Sequence, residues 1–335
     1  MTSRERVLRT VGGKQADRVP LNVFAGWNPG VRKRVNQKYG DVDDFCRKFN
    51  IDIVTGFLPR FPFGRPEERT EQPDLDRYLE MNPVIDPCGS EILDIHCDGD
   101  LFHSVTEALE YQKQDMPVFI NVWGIFELSQ FLWEKNGMPG TEEALLTMAA
   151  EKDKMKKMFY RLAEWTAAAA ESAIRAGADV IELSDDWGQQ HRTLFSPKMW
   201  WDMIYPAAKM IVDRIKNHGV PVLLHSDGDV SLVLDGIKKL GVAGLHPVQE
   251  SAGMSFEKTR QVLGNKVCIM GGLDTVTALP VMNEEEIRTE VKRVFGELKN
   301  SGPFIFAGSH MFQDDAPLEV IEAAYETANE LAPFY

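Results

Sequence analysis

Eight times along this 335-residue chain, a short apolar run ends in small or polar residues and gives way to helical spacing. The runs occupy residues 19–26, 52–58, 117–124, 178–186, 220–228, 242–249, 266–274 and 303–311. Each is strand length and bounded by glycine, proline or polar punctuation. They are almost continuously hydrophobic rather than strictly alternating, as parallel strands covered on both faces are. The segments between them read as helices. Asn283 followed by Glu284, Glu285 and Glu286 fits an N-cap with a carboxylate at the third helical position. Ile287, Val291, Phe295 and Leu298 then form one apolar stripe. Val230, Val233, Leu234, Ile237 and Leu240 mark a shorter crossover, and Ser196 before Pro197 reads as another helix start. Strands alternating with helices in this way predict an α/β fold: one (β/α)8 TIM barrel over residues 1–335.

Two connections are long. Residues 61–116 lack a strong helical period; strand-like pieces at 92–95 and 101–104 flank Asp98 and Gly99, a hairpin signal. A hairpin insertion over the barrel mouth, after the second strand, is therefore expected. Between the third and fourth runs there is room for two helices, at 142–150 and about 154–176.

Composition narrows the partners. With 37 basic against 51 acidic side chains the formal charge is −14, and no lysine or arginine block reverses it locally. Nucleic acid and anionic membrane are thus poor partners. Cys46, Cys88, Cys97 and Cys268 show no CxxC spacing, so reduced thiols in a cytoplasmic protein are expected. The first residues lack the apolar segment of a signal peptide. The longest uncharged apolar stretch, 116–126, is too short to span a bilayer.

In such barrels the active site forms at the carboxyl ends of the strands. The fifth run ends in His225 and Asp227, two residues apart and so on one face. If Leu223 points inward, so do both. They could be two metal ligands, or a base and its orienting partner. The eighth run ends in His310, and the three together make a nitrogen and oxygen set of the size a catalytic zinc uses. In the fourth run Glu182 sits inside an apolar strand, where it must line the wet end of the barrel or be paired. Asp185 and Asp186 follow, and one of them is expected to cap a helix. The other strand ends carry Asn22, Asn121, Trp123, His246, Gln249 and Asp274. Trp187, Trp200, Trp201 and Tyr205 have partly helical spacing, so core packing is their default explanation. There is no GxGxxG, Walker or GxSxG pattern.

Several segments together resemble the uroporphyrinogen decarboxylase superfamily, which includes corrinoid- and coenzyme M-linked methyltransferases. They are RERVL at 4–8, DRVP at 17–20, AGAD at 176–179, SDDWG at 184–188, LFSP at 194–197 and HSDG at 225–228. PVQ at 247–249, MGGLD at 270–274, GSH at 308–310 and DAP at 315–317 complete the set. The resemblance implies a (β/α)8 barrel, in agreement with the strand count. The decarboxylases carry an arginine-rich segment after the first strand to hold a substrate with many carboxylates. Here residues 24–30 contain no arginine, and Arg32, Arg60 and Arg65 are the nearby candidates. The methyltransferase branch builds a zinc site from His-x-Cys at strand five and a cysteine at strand eight. His225 matches the histidine, Asp227 stands for the first cysteine and His310 for the last.

The resemblance therefore implies zinc held by His225, Asp227 and His310, with Glu182 as a fourth ligand or a partner of one, and Asp186 placing substrate or a proton. Trp123, Phe126 and Trp187 would wall an apolar pocket, with Asn22, His246, Gln249 and Asp274 also contacting substrate. A carboxylate and imidazole site suits polarising an ether or phenolic oxygen. The implied reaction moves a methyl group from a small methylated donor, such as an aryl methyl ether, to the cobalt of a partner corrinoid protein. The alternatives are a decarboxylase in tetrapyrrole biosynthesis and a non-catalytic ligand-binding barrel. A homodimer is expected by analogy with the decarboxylases alone.

Overall fold

The computed structural model describes every residue except 25, 59–74, 81–102, 136 and 335. Seven parallel strands lie side by side in chain order: Val54–Phe57, Val118–Trp123, Val180–Ser184, Val222–His225, Gly244–His246, Cys268–Leu273 and Phe304–Gly308. Each falls within one of the seven later runs. The first run forms no full strand, yet it joins the two ends of the sheet. Phe306 donates its N–H to Pro20 O at 3.0 Å, Asn22 donates to Phe306 O at 2.9 Å, and Asp52 donates to Leu21 O at 2.8 Å. Eight segments therefore make up the barrel, the first by isolated bridges only.

Alternation along the strands separates two cores. Phe119, Val180, Leu223, Cys268, Met270, Ile305 and Ala307 pack inside the barrel with Phe24 and Ile53. Val7 and Val11 of the N-terminal helix Ser3–Val11 join that cluster and plug one end. The intervening residues, such as Ile181, Leu224 and Ile269, pack outward against the helices. Burying each such side chain stabilises the fold by roughly 1.5–3 kcal/mol. This parity puts Glu182 on the inner face with Val180, and His225 on the inner face with Leu223.

Three of the segments that carry the family resemblance are structural. Arg6 and Arg18 both reach the fully buried Asp52, each at 2.8 Å, and Arg4 reaches Asp179 at 2.7 Å. Asp52 also accepts the N–H of Leu21 at 2.9 Å. These pairs lie at the amino ends of the strands, the stabilising face of a barrel rather than its reactive one.

The helix signals hold. The Asn283 side chain accepts from Glu285 and Glu286 N–H while Glu286 reaches back, opening the helix Glu284–Leu298. Ser196 caps the turn that begins at Pro197. Between the third and fourth runs the two helices are Thr141–Ala150 and Lys152–Ala176. Within the insertion the expectation needs correction. His103 and Ser104 open a helix, His103–Glu110, instead of ending a strand, and Leu75–Glu80 is a second helix. The eight-residue helix carries Val105 and Ala108 on its buried side, a period the reading of 61–116 overlooked. The hairpin at 92–99 and Arg60 and Arg65 lie outside the described residues.

Candidate active site

His225 is the last residue of its strand, and Asp227 follows two residues on. Asp186 stands two residues past the neighbouring strand Val180–Ser184. Their ligating atoms converge, all lying within 4.8 Å of one another. His225 Nε2 is 3.7 Å from an Asp186 carboxylate oxygen and 3.8 Å from one of Asp227. The loops are locked together to achieve this. The Asp227 N–H donates to Asp186 Oδ1 at 2.8 Å, and the Gly228 N–H donates to Gln249 Oε1 at 2.9 Å. Gly188 and Gly228 are required by the close crossing: a Cβ on either would sit 2.4 Å from the other loop's backbone. The SDDWG and HSDG segments thus form one interlocked unit.

The paired aspartates at 185 and 186 have diverged. Asp185 is buried, accepting the Glu127 N–H and the Trp187 indole N–H, both at 2.8 Å. It thereby satisfies an N–H in the first turn of the helix Ile125–Gln130, whose N-cap residue is Gly124, so neither aspartate is the N-cap that was expected. Asp186 is left half-exposed at the strand end, facing His225.

The far nitrogen of His225 is also held. Its Nδ1 lies 2.7 Å from Nδ1 of His246, whose Nε2 lies 2.9 Å from the carbonyl oxygen of Gly308. Phe24 packs on both rings, with centroids 4.8 Å from His225 and 3.9 Å from His246. Burial lowers the pKa of both histidines, that of His246 further because His225 is beside it. Burial, helped by the Asp186 charge and opposed by His310, raises the Asp227 carboxyl.

Several expected roles change. The triad is completed by Asp186; His310 stands at the rim, its Nε2 3.9 Å from Asp227. His246, expected to contact substrate, is fully buried against His225. Phe126 and Trp187 are also fully buried, against Phe195 and Trp200 respectively, so neither walls a pocket. Gln249 serves the Gly228 loop, and Asp274 caps its own turn through the N–H groups of Val276 and Thr277, each at 2.8 Å. Trp123 is half-buried with its indole N–H on Leu58 O at 2.8 Å. Asn22 is buried, its amide 3.9 Å from the Met270 sulfur. It borders a cavity of about 490 Å³, lined also by Trp27, Cys46, Thr55, Phe57 and Tyr111, that none of the triad residues touches. Phe24 was passed over, although its two-residue offset from Asn22 put it on the same face.

Glu182 neither lines the wet end nor finds a partner. It is fully buried, and neither carboxylate oxygen accepts a hydrogen bond from the described residues. Asn121 offsets a little of that cost from the next strand, its NH2 also donating to Ser184 Oγ. Burial pushes the Glu182 carboxyl up to about 8.

A parallel barrel that gathers a histidine and two aspartates at the carboxyl ends of adjacent strands has that cluster where (β/α)8 enzymes place their active sites. The chain belongs to the uroporphyrinogen decarboxylase (URO-D) family, whose model matches residues 81–331. It is 26% identical to the uroporphyrinogen decarboxylase of Trichodesmium erythraeum over 180 residues, 53% of this chain and 48% of that one. The match thus spans about half of that relative's length. To the uroporphyrinogen decarboxylase of Solibacter usitatus it is 21% identical over 283 residues, 82% of this chain and 77% of the other. Among solved structures, a methyltransferase from Methanosarcina mazei superposes with a TM-score of 0.70 at 18% identity, covering 98% of this chain and 99% of that one. That likeness shows the same fold. No helix among the described residues is long and apolar enough to cross a membrane.

Proposed function

We propose that the protein is a zinc-dependent methyltransferase that takes a methyl group from a small methylated substrate, an aryl methyl ether being the class it suits, and passes it to the cobalt of a corrinoid protein. The observation that carries this reading is the convergence of His225 Nε2 with carboxylate oxygens of Asp186 and Asp227. Two carboxylates and a buried imidazole nitrogen are brought together at one point. Such a cluster repels itself unless a cation or a proton sits at its centre. The raised Asp227 carboxyl is the proton-holding form of that competition. One imidazole nitrogen and two carboxylate oxygens fit zinc and leave a position open.

Zinc, when bound, supplies Lewis acidity toward a substrate oxygen. The chain's own residues do the rest. Asp186 and Asp227 present the negative charge, and His225 is pinned behind its ring by Phe24 and His246. His310 stands at the rim, 3.9 Å from Asp227, where it would face a bound substrate. Glu182 lies deeper on the same face, neutral at pH 7, in a strand next to His225. The structural likeness to a methyltransferase supports this reading over decarboxylation, as does the lack of arginine in residues 24–30. Arg18 is tied to Asp52, while Arg32, the described arginine a decarboxylase would call on, lines the separate cavity of about 490 Å³.

Metal analysis tests the reading. Protein incubated with zinc and then desalted is expected to retain one zinc per chain. Retention of none, in protein that is folded by circular dichroism, would remove the metal and with it the proposed chemistry.

A further inference from the structure

We infer that His246 is a positioning residue that fixes the tautomer of His225, so that the Nε2 lone pair of His225 faces the carboxylates in the metal-free protein. The inference rests on the metal reading for its purpose but on hydrogen-bond geometry for its content. Three atoms decide it. The Gly308 carbonyl oxygen can only accept, so His246 Nε2, 2.9 Å away, carries a proton and donates it. His246 Nδ1 faces His225 Nδ1 at 2.7 Å, and one of the two must donate to the other. Were His246 the donor, it would hold protons on both nitrogens and be a cation. It is fully buried between Phe24 and His225, bonded among the described residues to His225 and the Gly308 carbonyl and to no carboxylate, so such a charge is prohibitively costly. His246 Nδ1 is therefore the acceptor, and His225 Nδ1 is the donor. With one proton on Nδ1, a neutral His225 has a bare Nε2, the atom 3.7 Å and 3.8 Å from Asp186 and Asp227.

The relay also joins two strand ends. Gly308 is two residues before His310, so one imidazole ties the strand bearing His225 to the strand whose end carries His310. Neither the resemblance nor the spacing pointed to this role, since His246 read as a substrate contact. Partners of this kind fix ring orientation and donor basicity at metal sites, and losing one costs about 10–100-fold in metal affinity.

The test uses two variants and two readouts. Nitrogen-15 NMR of the imidazoles in the metal-free protein is expected to show His225 protonated on Nδ1 and bare on Nε2. Zinc competition against a chromophoric chelator is expected to weaken by about 10–100-fold in His246→Phe, which keeps the ring and removes the relay. His246→Gln restores most of the affinity, because its amide oxygen accepts and its NH2 donates along the same line. A proton found on Nε2 of His225 in the wild-type protein overturns the inference. So does a folded His246→Phe variant with wild-type zinc affinity. Wild-type protein that binds no zinc while His225 is protonated on Nδ1 upholds the tautomer and overturns the metal reading instead.

Discussion

Replacing His225 with alanine is expected to weaken zinc binding by on the order of a hundredfold or more and to abolish methyl transfer. Four-ligand zinc sites are worth about 10–16 kcal/mol, so one ligand accounts for about 3 kcal/mol. Each 1.4 kcal/mol is a factor of about ten. The variant also leaves Asp186 and Asp227 facing each other across a cavity, with the support from His246 and Phe24 directed at nothing. Isothermal titration with zinc and a methyl-transfer assay on the same preparation measure both effects. Unchanged affinity would place the metal elsewhere, and unchanged turnover would separate the metal from the chemistry.

The second large effect is on stability. Glu182 is held near pKa 8 in the folded protein by burial, against about 4.3 in the unfolded chain. Between these values the native state holds a proton that the unfolded chain has released. Stability therefore falls as pH rises from about 4.3, and the loss is complete only above about 8, amounting to about 5 kcal/mol. Glu182→Gln keeps the shape and cannot ionise. It is expected to lose this slope, gaining several kcal/mol over the wild type at pH 8.5 relative to the difference at pH 5. Urea unfolding of both proteins at pH 5, 7 and 8.5 reads it directly. Asp185 and Asp227 titrate in both proteins and cancel in the comparison. Parallel pH profiles for the two would show that Glu182 finds a partner or solvent.

Much of this site was legible because strand parity is a local property. Leu223 pointing inward fixes where His225 points, whereas Glu182, expected at the wet end or paired, is buried with neither. The membership of the triad was not legible in the same way. Which neighbour reaches across to His225 depends on strand stagger around the barrel, and that brought Asp186 in from the adjacent strand while His310 stayed at the rim. Polar atoms misled in both directions. Trp187 looked like a pocket wall, but its indole N–H could be buried because Asp185 accepts it. His246 looked like a ligand contact because the carbonyl that occupies it belongs to a strand 62 residues away. The insertion was misread at 103–104 because so short a piece carries no period of its own.

Methyl transfer to cobalt tests the central claim most directly. Zinc-loaded protein mixed with reduced cob(I)alamin and a panel of aryl methyl ethers is followed by the loss of the cobalt(I) absorption. The account predicts methylcobalamin and one free phenol per methyl group transferred, suppressed by a chelator. A panel without methylcobalamin, from protein that instead releases carbon dioxide from uroporphyrinogen, would contradict it.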